Sequence, residues 1–176
     1  AIEIIRKKGQ AVAAKRSDRE ASEGCVLAAA KDGFAAIIAL KCETDFVAKN
    51  ADFVALTQSI LDVAMAAKPA STAEVAALTI DGRTIADLVT ERSGVTGEKM
   101  ELDYYEFVQG GSAISYIHPG NKLATIVAFE EKDVDYQVAR DIAMQAAAMN
   151  PVSLDRTSVP EKVIQQELEI GRDKAR

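Results

Sequence analysis

From Phe34 to Leu40 every position is apolar, and the run is of ordinary strand length, so it predicts a buried β-strand. The preceding stretch, Gly24 to Ala30, pairs with it through Lys31-Asp32-Gly33, whose Asp-Gly chemistry suits a tight turn. This is the clearest hairpin in the chain. Beyond it, apolar residues recur at Phe53, Leu56, Ile60, Leu61 and Ala64, the spacing of an amphipathic helix with Asn50 or Asp52 as N-cap. Pro69-Ala70-Ser71 breaks that pattern, and Ser71 or Thr72 can cap a short Ala-rich helix. After an Asp81-Gly82 turn, Thr84 to Arg92 reads as a helix with Ile85, Leu88 and Val89 on one face, and Ser93 to Glu98 reads as a loop. Glu101 to Val108 alternates around Leu102, Tyr104 and Val108 and predicts the third strand of the first sheet.

Gly110-Gly111 marks a boundary, after which strand, strand and helix partly recur. Ser112 to Ile117 and Leu123 to Phe129 form a second hairpin through His118-Pro119-Gly120-Asn121. Tyr136 to Met149 is an amphipathic helix with Val138, Ile142 and Met149 expected inward, ended by Pro151, and Pro160 starts a last, charged helix that runs toward Arg176. At the other end Ala1 to Glu20 has helical propensity and a basic face, and Gly9 is expected to interrupt it. The predicted class is therefore α+β, with two small lobes, each an antiparallel sheet flanked by helices. The expected divisions are a helical arm over residues 1–20, a first lobe over 21–109 and a second, incomplete lobe over 110–176.

Composition narrows the function classes. At 176 residues and 48% hydrophobic the chain can bury a core, and its net charge of −6 argues against nucleic acid or an anionic membrane as the main partner. The basic run of residues 1–20 reads as a solvated helix face rather than an RNA site. No apolar run reaches membrane-spanning length. Two cysteines, Cys25 and Cys42, and a single histidine cannot build a zinc site between them, and the thiols are expected to be reduced and buried. No metal or cofactor is expected.

One stretch resists local logic. Between the apolar strand and the helix lie Thr44-Asp45-Phe46-Val47, a polar pair leading into an aromatic and a β-branched residue where a surface connection belongs. Either Thr44 or Asp45 caps a short helical turn with Phe46 tucked beneath it, or Phe46 stands exposed as a wedge of the kind that anchors a protein interface. Spacing leaves both open.

These residues carry a resemblance. Cys42-Glu43 before Thr44-Asp45-Phe46-Val47, and Ala48-Lys49-Asn50-Ala51-Asp52-Phe53 after it, resemble the signature of the bacterial elongation factor Ts family. The likeness continues through Gly97-Glu98, Ser115-Tyr116-Ile117-His118 and Asp141 to Ala148, and so covers nearly the whole chain. It implies a guanine-nucleotide exchange factor for elongation factor Tu, in its nucleotide-free and GDP-bound forms, in the cytoplasm. It also implies that Asp45 and Phe46 enter between two helices of the partner's GTPase domain near the Mg²⁺ site, flanked by Thr44 and Val47, with Gly97 and His118 as further contacts. Residues 1–9 would correspond to the end of an N-terminal ubiquitin-associated-like domain. Where the family reads His-Gly followed by Arg, this chain has Pro119, Gly120 and Lys122, which removes a planar guanidinium fork. The resemblance implies no enzyme in the ordinary sense. A small enzyme using Glu43, Asp45 and the cysteines lacks a second motif for base, metal or cofactor. A non-catalytic protein- or RNA-binding module is the alternative, and homodimerisation stays open.

Overall fold

The hairpin of the first apolar run is the frame on which the rest is laid. In the computed structural model, which describes residues 1–151 and 160–175, strand β1 (Glu23–Lys31) pairs antiparallel with β2 (Phe34–Cys42). The turn residues Asp32 and Gly33 both have positive φ, 51° and 75°, which matches the right-handed twist of the strands it joins. Strand β5 (Glu101–Gln109) lies on the other side of β2, so the sheet order is β1-β2-β5 with the most apolar strand central. Every second residue of β2, from Phe34 through Ala36, Ile38 and Leu40 to Cys42, enters one core with Phe53, Ile60, Leu61 and Ala64 of helix α3 (Ala51–Ala67).

Around this layer the short elements follow their local chemistry. A single turn, α2 (Asp45–Ala48), precedes α3, whose N-cap Asn50 accepts the Asp52 amide. Ser71 caps α4 (Thr72–Ala77), and a two-residue ladder, β3 (Thr79–Ile80) with β4 (Arg83–Thr84), closes over the Asp81-Gly82 turn. Thr84 then caps α5 (Ile85–Thr96). That helix corrects the expected loop at residues 93–98. It runs on through Ser93-Gly94-Val95-Thr96 and stops at Gly97, whose φ of 74° is the left-handed conformation that suits glycine at a helix end.

Gly94 stays helical because it is a contact, and its partner is Gly9. Helix α1 (Ile2–Lys15) is not interrupted at Gly9; it crosses α5 there, and a Cβ on Gly94 would lie 2.6 Å from the Gly9 Cα. Two missing side chains let two backbones touch.

A third correction concerns β5. The register slips between Ala39 and Leu40, with Asp103 left unpaired, so the strand changes face in mid-run. Leu102 and Tyr105 therefore meet the core while Tyr104 is turned out, and the Tyr105 hydroxyl donates to the Pro69 carbonyl at 2.8 Å. A simple alternation from Leu102 to Tyr104 cannot anticipate the inserted residue.

On the opposite face of the first sheet Ala28, Ala35 and Ile37 are buried, and there the second hairpin lies, β6 (Ser112–Ile117) with β7 (Ala124–Phe129). These strands pack against β1, β2 and β5. Helix α6 (Tyr136–Met149) covers the outer face of β6 and β7, and α7 (Glu161–Ala175) follows. The result is an α+β architecture of antiparallel sheets flanked by helices. Here a fourth expectation fails. Ala139 and Ala143 face the hairpin, Thr125 donates its hydroxyl to the Ala143 carbonyl, and Val138, Ile142 and Met149 point outward. The helix sits too close to the sheet for branched side chains, so the alanines take the inner face.

Candidate functional site

Strand β2 ends at Cys42, and the chain then makes one capped turn and enters α3, so the residues between are held from both sides. Thr44 is extended and its hydroxyl accepts the Val47 amide at 3.5 Å, while Ala48 and Lys49 donate their amides to the Thr44 and Asp45 carbonyls. Ala48 is buried and Val47 packs on the main core. Phe46 does neither. With 84% of its surface exposed it is the most open of the large apolar side chains among the described residues, on a turn whose neighbours on both sides are anchored. Both readings of the motif thus hold in part: Thr44 caps the turn, and Val47 rather than Phe46 folds beneath it. Beside Phe46, the Asp45 carboxylate is about half exposed and pairs with Lys49 at 3.5 Å.

What fixes this turn comes from a distant part of the sequence. One oxygen of the Glu98 carboxylate accepts the amides of Glu43 and Thr44 at 3.1 and 3.0 Å, and the other accepts the Thr44 hydroxyl at 2.5 Å. In return the Glu43 carboxylate accepts the Lys99 amide at 2.7 Å. Arg16 donates to both Glu43 oxygens at 3.1 Å, and Arg19 stands 3.7 Å away. The Lys99 amide above all, helped by the two guanidiniums and opposed by burial, holds the Glu43 carboxyl below its ordinary range. Two short segments, 43–44 and 98–99, therefore cap one another. Gly97 enters the site through this arrangement, as the residue whose left-handed turn delivers Glu98.

The other expected residue, His118, lies at the tip of the second hairpin, where the Tyr116 hydroxyl and His118 Nδ1 are 3.0 Å apart. That tip is tied to the first sheet, since the Val26 amide donates to the Asn121 carbonyl at 2.7 Å and Lys122 pairs with Glu23 at 2.8 Å. Glu23 sits opposite Cys42 in the β1–β2 register. Lys122 is held charged first by its hydrogen bond and charge contact with Glu23, and further by Asp45. Thr44, Asp45, Phe46, Val47 and the Gly97 turn thus form one cluster, and the His118 hairpin approaches it from the other layer.

The cysteines lie beneath. Burial pushes the Cys25 thiol up, and it pushes Cys42 up to about 12 with help from the nearby Glu98 charge. Neither is a thiolate at neutral pH. The Cys42 thiol contacts the Thr44 carbonyl at 3.2 Å, which adds to the fixing of the turn. The sequence pointed to Glu43 within the motif and to Glu98 in the Gly97-Glu98 pair, and to Arg16 only as part of the basic run, but gave none of the three a part in holding the turn.

Among known proteins, the family described as Elongation factor TS matches residues 43–176. The elongation factor Ts of Porphyromonas gingivalis is 68% identical over 176 residues, covering 99% of this chain and 64% of its own length. That of Azobacteroides pseudotrichonymphae is 55% identical over 175 residues, with 99% and 64% covered, and that of Bacteroides fragilis 58% over 177 residues, with 100% and 53% covered. The chain thus spans between about half and two-thirds of the length of these curated relatives.

Proposed function

The chain belongs to the elongation factor Ts family, and from that membership we propose that it promotes GDP release from elongation factor Tu during translation elongation in the cytoplasm. It acts on the partner's GTPase domain, in both its GDP-bound and nucleotide-free forms, through the Asp45–Phe46 turn, with Thr44, Val47, Gly97 and His118 as flanking contacts. The observation that carries this reading is Phe46, 84% exposed on an otherwise anchored turn. A rigidly presented aromatic loses little conformational freedom on insertion.

The energetics set what the wedge can and cannot do. A GTPase holds GDP through backbone amides, a helix N-terminus and Mg²⁺. A factor accelerates release only by favouring the nucleotide-free geometry over the nucleotide-bound one, and by linkage nucleotide must weaken the factor equally. Burying one phenylalanine contributes roughly 1.5–3 kcal/mol, about tenfold to a hundredfold in an equilibrium. Larger effects need a broad contact as well. For that contact we propose two units, residues 21–109 carrying Phe46 and residues 110–176 carrying His118, with residues 1–20 as an arm.

The rival RNA-binding reading draws on the basic N-terminal segment, and there the arginines are already engaged: Arg6 with Asp87, Arg16 and Arg19 with Glu43. The test is release of fluorescent GDP from bacterial elongation factor Tu. The chain is expected to accelerate it, and Phe46→Ala to remove at least tenfold of that acceleration while its thermal unfolding stays unchanged. Binding without acceleration would sink the exchange reading and leave the binding module.

A further inference from the structure

We infer that Glu98 is the positioning residue of Phe46, setting where the ring points before any partner is met; this rests on the exchange reading above. The argument begins with what α2 lacks. A single helical turn of four residues cannot hold itself, because nucleation fixes several dihedral angles for one hydrogen bond. The ring of Phe46 has almost no protein around it, so the backbone beneath is what sets the direction in which its Cα–Cβ bond leaves the surface.

That backbone is governed from Glu98. Its carboxylate receives the amides of Glu43 and Thr44 and the Thr44 hydroxyl. Since the hydroxyl proton goes to the carboxylate, the oxygen's lone pairs are left for the Val47 amide, the residue after Phe46. At 3.5 Å that cap is long and weak by itself. Charge-assisted bonds on its near side are what make it directional.

Glu98 is itself well seated. The Ser93 hydroxyl donates to its carbonyl at 2.5 Å, its amide donates to the Thr96 hydroxyl at 3.3 Å, and the Gly97 turn ends α5 immediately before it. The reciprocal bond from the Lys99 amide to Glu43 closes the ring. A displacement of Phe46 must therefore break bonds at both segments.

The experiment measures GDP release at saturating factor for wild type, Glu98→Ala, Glu98→Gln, Phe46→Ala and the double variant Phe46→Ala/Glu98→Ala. Amide hydrogen exchange at Glu43, Thr44 and Val47 and thermal unfolding are followed in parallel. Glu98→Ala is expected to lower the maximal rate about tenfold, to raise the half-saturating concentration by less, and to deprotect the three amides. Glu98→Gln keeps an acceptor for the amides and is expected to stay within roughly threefold of wild type. In the Phe46→Ala background Glu98→Ala should change nothing further, because a residue that acts through the ring has nothing left to act on. An equal loss in both backgrounds, or a wild-type maximal rate in Glu98→Ala, overturns the inference while the exchange reading stands. No acceleration by the wild-type chain overturns both.

Discussion

The first sheet and the second hairpin use the same plan, strands under a helix, but among the described residues the first has by far the larger core. Against β1, β2 and β5 lie Phe34, Phe53, Ile38, Leu40, Ile60, Leu61, Val75 and Ile85, all fully buried. Against β6 and β7 the buried residues are Ile114, Ala139 and Ala143, with Tyr116, Val127, Phe129 and Val134 half covered. A third strand and a helix with large inward side chains make the difference. A two-stranded ribbon is marginal alone, so β6 and β7 draw their stability from lying on the first sheet. Thus the region presenting Phe46 is a rigid mount, and the region presenting His118 is a guest upon it.

The largest expected effect tests this asymmetry directly. Phe53→Ala empties the centre of the first core and is expected to cost about 3–5 kcal/mol, enough to threaten a fold of ordinary stability. Ile114→Ala removes the main buried side chain of the second region and is expected near ~2 kcal/mol. Its amide-exchange signature should be confined to β6, β7 and α6, whereas Phe53→Ala should deprotect the whole chain. Equal, global losses from both would show one cooperative core and erase the distinction.

The same contrast explains what the sequence made legible. The β1–β2 hairpin and α3 declared themselves because their signals are local: Asp32-Gly33 at the turn, Asn50 at the cap, and apolar spacing at Phe53, Ile60 and Leu61. The misjudged positions all depend on contacts far along the chain. The unpaired Asp103 shifts the face of β5, and no periodicity announces one extra residue. Gly9 looked like a break because its reason, Gly94, lies in another helix. On α6 two faces compete, one bulky and one of alanines, and only the spacing to the sheet decides between them. In the candidate site the exposed aromatic was readable as one of two options, while the part that Glu98 and its partner segment, 55 residues from Glu43, play in holding the turn was invisible to any local rule.

A middle-sized effect sharpens the view of the first region as a mount. Because the Glu43 carboxyl is held below its ordinary range when folded, the chain binds fewer protons there folded than unfolded. The stabilisation is therefore present above the unfolded value of about 4.3 and fades as the pH falls through the lower, folded value. Glu43→Gln is expected to unfold at a lower temperature than wild type at neutral pH, and the gap should close on acidification below about pH 4.5. A gap that persists unchanged into acid would mean that packing, not charge, joins the segments at 43–44 and 98–99.

The smallest effect is expected on the outer face of α6, and it probes the second region from the side the sheet does not touch. Ile142 is 41% exposed and Val138 52%, while Ala139 and Ala143 make the contact with β6 and β7. Replacing an apolar side chain that keeps two-fifths of its surface in water, on the side away from the sheet, removes only part of a full burial, so Ile142→Ser should shift stability by no more than about 1 kcal/mol. Ala143→Ser is the matched control: it sets a hydroxyl into the fully buried helix–sheet contact, where an unsatisfied group costs ~1–3 kcal/mol. If thermal unfolding instead ranked Ile142→Ser as the more damaging, the bulky face of α6 would be its packed face in solution. The alanine-lined contact between helix and hairpin would then be wrong, and with it the argument that the second region leans on the first sheet because its own core is small.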